Sequence, residues 1–195
     1  PKAPDGDIKE WNPPFRGPRR HHVDQDGIVW VPGFGSGVLG RFDPKSEQWT
    51  TYALPDYDNQ IPYALNIDSK GIVWICGTGN DTIGRFDPKT ERLIEIPMPK
   101  RVTFTREIEF DEEGNVWTCN SNGPTRHIEG GRGSLIRIEL PKGKPAADEG
   151  VKLKQIVLPH HQVDYVRQVS WHKSPYGELL KKIDAMPAPK GIPVN

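Results

Sequence analysis

Asp24-Gln-Asp-Gly-Ile-Val-Trp30 returns as Asp68-Ser-Lys-Gly-Ile-Val-Trp74 and a third time as Asp111-Glu-Glu-Gly-Asn-Val-Trp117. The tryptophans stand 44 and 43 residues apart, and self-similarity at a fixed period of this size marks a repeat architecture. Ten residues after each of the first two tryptophans begins a second shared stretch, Gly40-Arg-Phe-Asp-Pro-Lys45 and Gly84-Arg-Phe-Asp-Pro-Lys89. A third punctuation mark is a strand ending in proline, at Trp49–Pro55, Leu93–Pro99 and Leu153–Pro159, with a weaker copy at Ile8–Pro14.

Each unit reads as four short strands. Turns fall around Gly27, Gly71 and Gly114, then at 35–37 and 77–81, then at the Asp-Pro-Lys steps. Four strands in some forty residues make a β-propeller blade, whereas a βαβ solenoid would need a helical period that no unit shows. Composition points the same way: 20 Gly and 20 Pro in 195 residues, with only 34% hydrophobic, favour short strands and many turns. The fold class is therefore all-β, a propeller with four-stranded blades, about three of them plus flanking strands.

The organisation expected along the chain is an outer strand of a preceding blade and a linker over 1–20, then three repeats at about 21–62, 63–105 and 106–165. An inner strand at Tyr165–Trp171 begins a fourth. Over 172–195 the sequence predicts a short helix, capped by Ser174 with Pro175 in its first turn, and a Pro-rich tail. Three blades do not close a ring, and open blade faces would leave apolar surface in water. The remaining blades are expected on another fragment, on another chain or on a part of the protein outside this sequence, with this chain the C-terminal stretch of the ring.

Lys plus Arg balance Asp plus Glu at 26 each, so no global field draws nucleic acid or anionic lipid. No apolar run approaches the roughly 20 residues that span a bilayer, and Pro1-Lys2-Ala3-Pro4 is no signal peptide. A soluble product is expected, with any export signal upstream or removed.

Asp-x-x-Gly-x-x-Trp, Gly-Arg-Phe-Asp-Pro-Lys and the strand ending in Pro together resemble the repeat of streptogramin (virginiamycin B) lyases, over about residues 8–171. The resemblance implies a ring of typically seven blades. It also implies a periplasmic or secreted location and, since some relatives are joined to cytochrome c domains, a c-type cytochrome partner in an exported redox assembly. Its chemistry is elimination: a His base removes a proton alpha to an ester carbonyl while a divalent cation such as Mg2+ stabilises the enolate. The His belongs to a Pro-His-Ala-Ile stretch, which here reads Pro62-Tyr63-Ala64-Leu65. The accompanying Glu, three residues after the Trp, is here Gly33, Gly77 and Asn120.

Ligands of propellers bind where the innermost strands meet the channel rim. Eleven residues before each Trp stand Arg19, Tyr63 and Arg106, with Arg167 in the partial fourth copy. Guanidinium groups offer forked, permanently charged donors, which suit a carboxylate, phosphate or sulfate. The plainer reading pairs each Arg with a neighbouring carboxylate such as Glu107 or Glu109.

The third unit carries a nine-residue insertion, since Trp117 to Arg137 spans 20 residues where its counterparts span 11. This loop, 120–133, holds Arg126, His127, Glu129 and Arg132. Arg126 and Arg132 join the candidate ligand-binding set, while His127 and Glu129 are the candidates for acid–base chemistry. Two functions are thus open: a binding module for an anionic ligand, or a metal-dependent carbon–oxygen lyase whose catalytic groups lie on this loop or on other blades.

No metal site and no cofactor is expected within the chain itself. His21-His22 and His160-His161 are adjacent in strands, so each pair points to opposite faces. Asp24, Asp68 and Asp111 are expected to bond turn backbone instead of calcium. Trp30, Trp74 and Trp117 are expected between blades, and Cys76 and Cys119, at matched positions, as buried free thiols.

Overall fold

A computed structural model describes residues 2–3, 6–55, 61–101, 103–120, 133–140 and 149–158, with Lys2, Ala3, Gly6 and Asp7 described by their backbone alone. They fall in the compact unit Pro1–Val157, save Leu158, which opens a second unit. The expectations for Tyr165–Trp171, the helix, the tail, His160-His161, Arg167 and the loop residues Arg126, His127, Glu129 and Arg132 lie outside the described residues.

The described residues are all-β. A two-residue ladder joins β1 (Lys2–Ala3) to β2 (Gly6–Asp7). Blade 1 follows as β3 (His22–Val23), β4 (Val29–Gly33), β5 (Val38–Asp43) and β6 (Gln48–Ala53). Blade 2 is β7 (Pro62–Ile67), β8 (Val73–Gly77), β9 (Thr82–Asp87) and β10 (Arg92–Pro97). Blade 3 shows β11 (Glu109–Phe110), β12 (Val116–Asn120) and β13 (Ser134–Ile138). Within each blade successive strands pair antiparallel.

The repeated Asp-x-x-Gly-x-x-Trp has a single physical explanation. One carboxylate oxygen of the Asp accepts turn amides, from Asp26 and Ile28 at Asp24 and from Lys70 and Ile72 at Asp68. The other accepts the indole N–H of the Trp, at 2.9 Å in blade 1, 3.0 Å in blade 2 and 2.8 Å in blade 3. The Gly between them has φ of +82°, +79° and +81° in the three copies, a conformation that disfavours any side chain. Each Trp also stands directly opposite an arginine, Arg41, Arg85 or Arg137, and Arg85 and Arg137 lie over the indole faces at 6.0 and 5.7 Å.

Middle strands are sandwiched between neighbouring blades, which is why β8 is buried at all five positions. Trp30, Leu39, Tyr52 and Leu54 of blade 1 meet Leu65, Val73, Ile75, Phe86 and Leu93 of blade 2 in one core. Trp74, Cys76, Ile83 and Met98 of blade 2 meet Ile108 and Val116 of blade 3 in the next. Truncating a buried Trp of this kind to Ala costs about 3–5 kcal/mol.

Blade 3 departs from the expected pattern on its far face. Leu135, matched to the fully buried Leu39 and Ile83, is 68% exposed, and Trp117 is only half-buried. Cys119 is exposed, which corrects the expectation of two buried thiols. Matched positions face the same way round a propeller; Cys76 faces blade 3, while the described residues put no fourth blade over Cys119.

Leu153–Pro159, expected as the outer strand of the third blade, does not pair with that blade in its described part. Instead β14 (Val151–Lys152) adds antiparallel to the outer edge of β10, and β15 (Lys154–Gln155) to that of β6. Between them Leu153 enters the core of blades 1 and 2 and is 5% exposed, its amide donating to the Glu91 carbonyl at 2.9 Å. The segment is a strap and not a blade strand because its flanking lysines are exposed and Leu153 is the residue it buries. Glu91 ties the strap in, accepting from the Tyr52 hydroxyl at 3.2 Å and the Gln155 amide at 2.7 Å. Burial and the Glu91 carboxylate push the Tyr52 phenol up to about 12, so it remains a donor.

Candidate functional site

Strand directions put Arg19, Tyr63 and Arg106 at one end of the blades, opposite the Asp turns. The peptide of Arg19 donates to the Pro32 carbonyl at 3.1 Å, and Arg20 makes a parallel bridge to Ala64, so the innermost chains of blades 1 and 2 run side by side. Matched positions on three successive blades therefore meet. The guanidinium carbons of Arg19 and Arg106 each lie 5.5 Å from the Tyr63 ring centre, and that of Arg20 lies 5.6 Å away.

Two further rings complete the arrangement. Phe34, in the turn after β4, packs edge-on to Tyr63 at 5.6 Å and 85°, and its face receives the Arg19 guanidinium at 4.7 Å. Phe104 lies 6.5 Å from Tyr63 and carries the Arg106 guanidinium at 4.5 Å. All three rings are half-buried, and both arginines are exposed. Cation–π stacking of this kind contributes roughly 0.5–1 kcal/mol at exposed sites, and it leaves the N–H edge of the guanidinium available.

Among the described residues the plainer pairing is seen for neither Arg19 nor Arg106. Glu107 pairs with Arg20, which also donates to the Arg106 carbonyl at 3.2 Å. Among the described residues no carboxylate pairs with Arg19 or Arg106, and Glu109 takes neither. Counted over the described residues, the cluster of three guanidiniums and one carboxylate carries an excess of positive charge.

Phe104 is held in an unusual way. Its φ of +50° lies in the left-handed region, which is strained for a bulky side chain. Its neighbours Thr103 and Thr105 are both fully buried. Thr103 donates through its amide and its hydroxyl to Asp81, each at 2.8 Å, and Thr105 accepts from the Thr78 hydroxyl at 2.8 Å. The backbone is pinned on both sides of the ring.

Where the resemblance implies Glu, the neighbouring side chains leave little room. A Cβ on Gly33 would lie 2.6 Å from Val38 Cγ2 and 2.9 Å from Phe15 Cδ2. One on Gly77 would run into Asn80 Oδ1 and Thr82 Oγ1. Asn120, the third such position, is 2% exposed. Cys76 stands beside this region, and burial pushes its thiol up to about 12 against a hydrogen bond with Thr105.

Arg20, Phe34 and Phe104 were not singled out by the repeat. Their signal was present: Phe34 and Phe104 are large apolar residues in turn or approach segments next to rim positions, where polar residues are the rule. No group of three or more His, Cys, Asp or Glu side chains able to hold a metal comes together among the described residues.

This blade geometry has solved counterparts. The chain is similar to a virginiamycin B lyase from Staphylococcus aureus, at a TM-score of 0.54 and 24% identity over 74% of this chain and 42% of that one. The fold is that of the virginiamycin B lyases. A catalytically inactive variant of the lyase from the same organism, with quinupristin, matches at a TM-score of 0.57 and 20% identity, covering 71% of this chain and 48% of that lyase. A protein of unknown function from Bacteroides caccae matches at 0.53 and 14%, over 71% and 50%. The chain spans less than half the length of either lyase. No family model matches it, and no curated protein matches it in sequence.

Proposed function

We propose that this lyase-fold segment is a binding module and that its rim takes an anionic ligand between Arg19, Tyr63 and Arg106. The observation that carries the reading is the pair Arg19 and Arg106: each lies over a phenyl ring, within 5.5 Å of the same tyrosine ring and without a described carboxylate, while the nearby Glu107 is engaged by Arg20. The lyase reading has no support among the described residues, because Tyr63 stands in the place of the implied His and the implied Glu positions are Gly33, Gly77 and Asn120. His127 and Glu129 lie outside them.

Calorimetric titration of the 195-residue chain with benzoate and with inorganic phosphate tests the proposal. Binding of at least one of these anions is expected, weakened about tenfold or more in the double variant Arg19→Gln, Arg106→Gln and unaltered by Lys45→Gln at the far end of blade 1. Affinities equal in wild type and double variant would overturn it.

A further inference from the structure

Resting on that anion reading, we infer that the ligand is an organic carboxylate bearing a flat aromatic ring. A compact anion such as phosphate would use the guanidinium forks alone. The rim offers more than forks, because Phe34, Tyr63 and Phe104 line up across blades 1, 2 and 3 as half-buried rings interleaved with two guanidiniums that pair with no carboxylate among the described residues. Rings of this size left partly in water have apolar faces to bury. Each guanidinium carbon lies over a phenyl ring, at 4.7 Å for Arg19 and 4.5 Å for Arg106, and a guanidinium held against a ring still has N–H donors that suit a carboxylate in the forked geometry. An aromatic acid satisfies both parts, with its carboxylate on a fork and its ring against Tyr63 or a flanking phenyl ring.

The strain at Phe104 supports the same conclusion. A left-handed φ at a bulky aromatic is retained only where the surroundings over-determine it, and the buried Thr103 and Thr105 do so through Asp81 and Thr78. What this conformation positions is a ring over Arg106. Preorganisation of that kind favours a ligand that touches the ring as well as the charge.

The test compares four probes on the full chain by calorimetry: phenylacetate, cyclohexylacetate, inorganic phosphate and phenylethanol. Phenylacetate is expected to bind roughly threefold to tenfold more tightly than cyclohexylacetate or phosphate, from aromatic contact beyond area burial, and phenylethanol not measurably. Tyr63→Leu is expected to abolish the preference for phenylacetate over cyclohexylacetate while leaving weak anion binding. Phe34→Leu, in a turn, gives the same readout, a narrowed preference, if the first variant does not fold. A Gly-Gly-Phe peptide separates the sources: tighter binding than phenylacetate identifies a peptide C-terminus, and weaker binding a free acid. Equal affinities for phenylacetate, cyclohexylacetate and phosphate would overturn the aromatic class and leave the anion reading standing; no binding of any anion would overturn both.

Discussion

The ring of Trp11 stands 5.3 Å from that of Phe42, the same contact that Tyr52 makes with Phe86 at 5.1 Å one blade further on. Residues 8–14 hold no described strand ladder, yet they deliver an aromatic to the face of blade 1 as β6 does to blade 2. Phe15 completes the cover, 3% exposed and edge-on to Trp49 at 5.5 Å. Its ring fits because Gly33 and Gly40 lack side chains, and a Cβ on Gly40 would run into Phe15 Cε1 and Cζ. Gly40→Ala is expected to cost about 1–3 kcal/mol in urea unfolding, and to cost less when Phe15→Ala is combined with it. Purely additive losses would show that Phe15 does not sit there.

Asp111 links the repeat to acid stability. Partial desolvation raises its carboxyl, but hydrogen bonds from Trp117 and Asn115, together with Arg137, outweigh it and hold the group well below the usual carboxylate range. A depressed folded value contributes stability that is fully present above the unfolded value near about 3.9 and lost as pH falls below that toward the folded value. Between pH 6 and pH 2 the urea midpoint of the wild type should fall more steeply than that of Asp111→Asn, which starts lower at pH 6. Parallel descent of the two would contradict this role.

The two thiols should behave differently. Burial raises Cys76 to about 12 and closes it off, and the thiolate is the reactive form. Cys119 is exposed. At pH 8 a chromogenic disulfide is expected to titrate one thiol in the folded chain, lost in Cys119→Ser, and the second only in denaturant. Two fast thiols in the native chain would refute the blade 2–blade 3 packing.

The strap makes a prediction that separates it from a blade strand. Leu153 and Ile156 donate their amides to Glu91 and Thr51, at 2.9 and 2.8 Å. Hydrogen exchange should therefore protect these two amides together with β6 and β10, and Leu153→Ala should cost about 2–3 kcal/mol while accelerating exchange at Tyr52 and Leu93. Loss of protection in β13 instead would return residues 153–158 to blade 3.

How far the sequence reached depended on whether the information was local. Asp24, Gly27 and Trp30 make their decisive contacts within six residues of one another, so the blade and its turns could be read from spacing. Arg19, Tyr63 and Arg106 were legible because equal register in successive repeats brings equal positions to one rim. The strap was not, since Leu153–Pro159 carries an outer-strand pattern and only the competition among sheet edges decides where it pairs. The exposure of Cys119 likewise depends on what covers the far face of blade 3, and the ring contacts of Phe34 and Phe104 cross between blades outside the repeated motif.

The most direct test of the rim is to follow the Nε–H resonances of the arginines by 15N NMR while phenylacetate is added. Shifts confined to Arg19 and Arg106, saturating with one common affinity and leaving Arg41 and Arg85 in place, are the predicted result. Shifts spread evenly over all four, or none at Arg19 and Arg106, would contradict a ligand site at this rim.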